Sequence, residues 1–146
     1  MNRNREYPGR PVVGVGGVLI REGRVLLVRR GQEPLLGEWS IPGGMLETGE
    51  TILEGVRREL LEETGIEVRV GELIEVFERI SLDGEGKAQF HYVVLDYFCE
   101  PVRGEARAAS DATEIAWVVE AELDRYGLSQ AARRVIEKAF ELARDS

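Results

Sequence analysis

The chain has 146 residues, a formal net charge of −8, 43% hydrophobic and 32% charged residues, and one cysteine. That length and mix describe a single globular domain with a real core and exclude a disordered chain. The acidic balance excludes a surface that wraps nucleic acid, which needs a basic face, yet allows small anionic ligands held by local positive charge or a bridging cation.

The opening "MNRNREYPGR" is polar and lacks the apolar stretch of a secretory signal. It reads as a flexible arm over residues 1–10, ahead of one domain over 11–146. The longest apolar-plus-glycine run, Val12 to Ile20, is too short to span a bilayer. "PVVGVGGVLI" and "GRVLLVRR" are β-rich segments separated by "REG", which predicts a hairpin. Gly14, Gly16 and Gly17 weaken the first strand and let a backbone or ligand come close. "GQEPLLGEWSIPGGMLETGE" is a long loop rich in Gly and Pro, and long ordered loops usually carry function.

A helix follows from about Thr51 to Thr64, with Gly65 placed to stop it. "EVRVGELIEVFERI" reads as a strand or a bent strand pair, "SLDGEG" as a turn, and "AQFHYVVLDYFCEPV" as the strongest strand signal. Cys99 is expected to pack in that strand. As a lone thiol it fits a reducing, cytoplasmic compartment. "RGEARAASDATE" is a second polar loop and "EIAWVV" a last strand. Ser129 caps a final amphipathic helix with Ala132, Val135, Ile136, Ala139 and Phe140 on one side. Strands around one central helix, with another helix at the end, predict an α/β fold whose mixed sheet is covered on both faces.

The central helix carries an unusual crowd of acids. Relative to Glu59, Glu63 lies about 40° one way and Glu62 about 60° the other. The three carboxylates therefore share one arc near the helix C-terminus, where the macrodipole is already negative. The stripe of Ile52, Leu53, Val56 and Leu60 borders Glu59 and Glu63, so repulsion there is poorly screened. Either this is a solvated acidic face partly neutralised by Arg57 and Arg58, or a hard divalent cation sits among the oxygens. The upstream loop favours the cation. Gly43 and Gly44 allow backbone to approach a ligand, and Gly55 leaves space on the helix for that loop. Glu50 and Arg58 can pair to brace it.

Gly44, five residues, Glu50, seven residues, then Arg58-Glu59-Leu60-Leu61-Glu62-Glu63-Thr64-Gly65-Ile66 resembles the Nudix box at every specified position. The resemblance implies an α/β/α sandwich and a hydrolase that cleaves pyrophosphate bonds in nucleoside diphosphate derivatives, using Mg²⁺ or Mn²⁺ with two or more ions per site. It makes Glu59 and Glu63 metal ligands, with the Gly43 carbonyl joining them. Glu62 becomes a ligand to a further ion or a base for water. Gly44 and Glu50 support the site, and Arg58 belongs to its catalytic machinery.

"LLVRRGQEPLLGEWSIPGG" and "FHYVVLDYFCEPVRGEARAASDATEIAW" are similar to the ADP-ribose pyrophosphatase-like branch and to general nucleotide-cleaning members. The proline that often follows the box in ADP-ribose pyrophosphatases is missing from the matching "RISLDGEG". Arg29 or Arg30 is a candidate phosphate contact, Trp39 a candidate base platform, and His91 a candidate ligand contact. Asp111 or Glu114 supplies a further metal ligand or the catalytic base, with Asp111 favoured. The expected product pair is AMP and ribose 5-phosphate from ADP-ribose. A (d)NTP pyrophosphohydrolase and a non-catalytic nucleotide sensor are the alternatives. Leu61, away from the main apolar stripe, suggests a homodimer.

Overall fold

The structure, a computed structural model, describes residues 5–32 and 35–145. Strand β1 (Val12–Arg21) turns back into β2 (Arg24–Arg30). The connecting Glu22 and Gly23 both take positive φ, at 54° and 77°, as a tight two-residue hairpin turn requires. The long loop expected after β2 is more ordered than its composition suggests. It contains β3 (Trp39–Ser40), paired with β2, and β4 (Gly43–Met45), paired with β1. Helix α1 (Ile52–Thr64) follows, then β5 (Glu67–Leu82), β6 (Ala88–Arg103) and β7 (Ala112–Val119). A 3-10 turn over Glu120–Tyr126, absent from the sequence expectation, leads into α2 (Gln130–Asp145). Ser129 caps α2 as expected, its Oγ accepting the Ala132 N–H at 3.1 Å.

The sheet is mixed, in the order β3-β2-β1-β6-β5, with β4 also on β1 and β7 also on β2. β1 and β6 run parallel from Val12↔Tyr92 to Leu19↔Cys99, and the other pairings are antiparallel. The choice between one strand and a bent pair after α1 resolves as one strand. β5 keeps its pairing with β6 through register shifts between Val70 and Glu75, and such bulges bend a strand without ending it.

Side chains alternate across β1 and feed two cores. Val15 and Leu19 pack with Val56, Leu60, Ile66 and Cys99 under α1. Val18 packs with Val25, Leu27, Val135, Ile136 and Phe140 under α2. The result is an α/β/α sandwich. Cys99 is fully buried, and burial pushes its thiol up to about 12, so it acts as a small apolar residue. Leu53 leaves the expected stripe and is 42% exposed, while Leu61 is 51% exposed.

Of the expected N-terminal arm, residues 1–4 lie outside the described residues. Beyond them the segment touches the β5–β6 turn. The Tyr7 N–H donates to the Gln89 carbonyl at 2.7 Å, and the Tyr7 hydroxyl donates to Asp83 at 2.8 Å.

Candidate active site

Helix α1 is stopped and started by its own sequence. Thr51 and Glu54 form a reciprocal capping box, and Gly65 takes φ 76° and closes the helix with an N–H to the Leu61 carbonyl. The next unpaired carbonyls are taken by the following loop. The Arg107 N–H donates to the Thr64 carbonyl at 2.9 Å, and the Ala109 N–H to the Glu63 carbonyl at 3.2 Å. The loop after β6 is thus pinned to the acidic end of α1.

The Gly43–Gly44 backbone of β4 lies against that end. A Cβ on Gly44 would sit 2.5 Å from the Glu59 carboxyl, and a Cβ on Gly43 would collide with the Val15 carbonyl. Only bare backbone fits between β1 and the acids. The Gly43 N–H donates to Glu63 Oε1 at 3.1 Å, and Arg30 Nη1 donates to the Gly43 carbonyl at 3.1 Å.

Arg58 holds the loop to the helix. Its Nε and Nη2 grip Glu50 at 2.6 and 2.9 Å, and Nη2 also donates to the Met45 carbonyl at 2.9 Å. Its Nη1 reaches Glu59 at 2.9 Å and Glu62 at 3.2 Å. The fork geometry of a guanidinium makes this multiple grip possible. Glu50 is held below the usual carboxylate range by its bond from Arg58. Gly55 admits the same loop, since a Cβ there would lie 2.7 Å from Leu46 and 3.2 Å from Glu50.

Glu59 and Glu63 differ from Glu50. Burial raises the Glu59 carboxyl, against the lowering effect of Arg58. Glu63 is 2% exposed, and burial pushes it up to about 7 although Arg30 lies 3.8 Å away. The buried Glu63 and half-buried Glu59 carboxyls, beside a backbone carbonyl, form an oxygen donor set suited to a hard divalent cation. Among the described residues no three Asp, Glu, His or Cys side chains converge on one point. The reason is visible in the contacts, where Arg58 draws Glu59 and Glu62 toward itself and Gly43 holds Glu63.

The other candidates divide between two places. Arg30 faces the acids, whereas Arg29 turns away to pair with Glu114 at 2.9 Å, both half exposed. Glu114 lies inside β7, which starts earlier than expected, at Ala112. Asp111 precedes β7 and is close enough to Glu63 to raise its pKa. Its Oδ1 accepts a hydrogen bond from Gln32 at 2.9 Å, and its carbonyl accepts the Gly31 N–H at 2.7 Å. Trp39 packs edge-on against Tyr126, with ring centroids 5.1 Å apart, and joins the α2 core. His91 pairs with Ile80 and points to the sheet face opposite Tyr92.

Beside the acids an open cleft runs between the sheet and the start of α2, bordered by Arg30, Gly43, Ser129 and Ala132. Its floor includes Tyr92 and Asp96, which the sequence reading passed over. The available signal was a lone acid inside the apolar run "YVVLDYF".

Residues 10–139 match the NUDIX domain, and the chain belongs to the NUDIX family. It is therefore a pyrophosphohydrolase of a class that uses divalent metal ions on small nucleotide substrates. It is 35% identical over 140 residues to a MutT-like protein of Streptomyces ambofaciens, covering 94% of this chain and 84% of that one. It is 35% identical over 104 residues to an ADP-ribose pyrophosphatase of Methanocaldococcus jannaschii, covering 71% of this chain and 59% of that one. The crystal structure of a MutT NUDIX hydrolase from Burkholderia pseudomallei superposes with a TM-score of 0.77 at 30% identity, covering 88% of this chain and 98% of the other.

Proposed function

We propose that the chain hydrolyses ADP-ribose or a similar nucleoside diphosphate derivative into two phosphate monoesters. The observation that carries this reading is the buried Glu63 and the half-buried Glu59 beneath the Gly43–Gly44 backbone. Glu59, Glu63 and the Gly43 carbonyl would hold Mg²⁺ or Mn²⁺, with Glu62 at the solvent edge for a further ion. A cation bound there neutralises diphosphate oxygens and lowers the pKa of an attacking water. Arg30, bonded to the Gly43 carbonyl and 3.8 Å from Glu63, is placed to contribute positive charge toward the phosphates. Asp111 takes the proton of the attacking water, since ligation occupies the lone pairs of the helix acids. Arg58 keeps Glu50, the glycine loop and the helix in one arrangement.

The relative named as an ADP-ribose pyrophosphatase supports this substrate class. Product analysis on a panel of ADP-ribose, other nucleoside diphosphate derivatives and dNTPs with Mg²⁺ tests it. AMP and ribose 5-phosphate are expected from ADP-ribose. Turnover of dNTPs alone, releasing pyrophosphate and a monophosphate, rejects the reading. Binding without turnover in Mg²⁺ and in Mn²⁺ would instead mark a sensor. A homodimer using the exposed Leu61 face is part of the proposal. A monomeric mass by light scattering at micromolar concentration removes it.

A further inference from the structure

The floor of the cleft carries polar chemistry that phosphate cleavage does not use. Gly43, Gly16 and Asp96 are successive partners across β4, β1 and β6. Two strand spacings, about 10 Å, therefore separate the Gly43 backbone from Asp96, a span that a ribose and a base can bridge. Gly16 lets Asp96 and the Pro42 backbone close over it, which seats the acid at the cleft floor. A Cβ there would lie 2.6 Å from Asp96 Oδ1 and 3.1 Å from the Pro42 carbonyl.

Asp96 is 3% exposed and lines the cleft. Burial, reinforced by Glu75 and opposed by Arg79, pushes the group up to about 7. Glu75 is itself occupied by Arg134 and Lys138 of α2. Four residues upstream on the same face, the Tyr92 hydroxyl is buried without a partner among the described residues. Phe77 and Arg79, the register partners of Val94 and Tyr92, extend this floor onto β5. Buried polar groups are normally satisfied, so an unpaired hydroxyl beside a buried acid in the same cleft points to a ligand that supplies polar partners.

We propose that Asp96 reads the nucleobase of the substrate, its carboxyl accepting a hydrogen bond from an exocyclic amino group while the phosphates lie over Gly43. The site thereby takes the amino-bearing edge of adenine or cytosine over the oxo edge of hypoxanthine or uracil. The inference rests on the nucleoside diphosphate reading above. Ionised, as it is above about pH 7, the carboxyl only accepts. An oxo base would set two acceptors face to face in a buried place, and a site built for a substrate N–H discriminates strongly in that situation. Phe77 adds an aromatic wall, a surface on which any base packs well.

The test measures dissociation constants of AMP, IMP, CMP and UMP at pH 8 by calorimetry, for the wild type and for Asp96→Asn, beside turnover of ADP-ribose. The wild type should bind AMP and CMP at least about tenfold more tightly than IMP and UMP. Asn can turn its NH₂ toward an oxo group, so Asp96→Asn should narrow both ratios to within about threefold. Unchanged ratios in a folded variant overturn the inference. Purine riboside 5′-phosphate, which lacks only the amino group of AMP, makes the same test on the unaltered chain. Binding equal to that of AMP overturns the inference even if Asp96→Asn does not fold. Amino-dependent binding with no diphosphate cleaved rejects the hydrolytic reading and keeps the base-reading site. Cleavage without base preference does the reverse.

Discussion

Glu59→Gln and Glu63→Gln should each lower kcat by a factor on the order of 10³ while the fold persists. Each change removes a ligand charge and almost no volume. The amide oxygen of a glutamine at 63 still accepts the Gly43 N–H, so the glycine turn keeps its seat. Stability without a divalent cation should move the other way. The folded-state pKa of Glu63, about 7, lies above that of an exposed glutamate, so the folded chain binds the extra proton between those values. Stability without cation therefore falls as pH rises from the ordinary carboxylate range through about 7. Glutamine has no proton to lose. Metal-free Glu63→Gln should melt above the wild type at pH 8, and the gap should close toward pH 5. Saturating Mg²⁺ should reverse the order at pH 8, because a ligand bound only by the folded state stabilises it. Near-normal turnover of either variant at saturating Mg²⁺ would remove these residues from the cation site.

Asp111→Asn should lower kcat by roughly 10²–10⁴-fold with little change in cation affinity. The loop holding Asp111 is not a free flap over the substrate. It is tied to α1 by the Arg107 and Ala109 amides and to the end of β2 by the Gly31 N–H. A base needs that kind of fixed position, and Gln32 orients the carboxylate further. Asparagine can keep the Gln32 contact through its oxygen but cannot take a proton. If Asp111→Asn leaves kcat intact while Glu62→Gln removes it, the base belongs to the helix.

Period and local chemistry made α1 legible. Its cap, its glycine stop and its arc of acids depend on neighbours a few residues away, as does the Glu50–Arg58 brace once the loop folds back. The choice between Arg29 and Arg30 was not legible, because alternation says they diverge without saying which faces the acids. Pairing of β2 with β7 decides it by giving Arg29 to Glu114. Trp39 looked like a platform because its segment read as open loop. The short strand β3 sets it edge-on against Tyr126, a contact that an open loop does not foretell. Asp96 was hidden for the opposite reason. Only the β1–β6 register shows that the residue beside it is a glycine, and so that a buried acid faces a cleft rather than a packed neighbour.

The parallel ladder between β1 and β6 also has a consequence for how the chain is made. β1 leaves the ribosome early, yet its central partner comes only after β5 and the turn at Asp83–Gly86. Until then an apolar strand stands with one edge unpaired, the situation in which nascent chains are most prone to associate wrongly. β5 and β6 are joined by a short turn and can zip locally, so their hairpin is the natural template onto which β1 docks last. Gly43 hangs on β1 through β4, and α1 packs across β1 and β5. β5, one of the two strands under α1, is held in place by β6, so the seat of the acids is complete only when that docking is done.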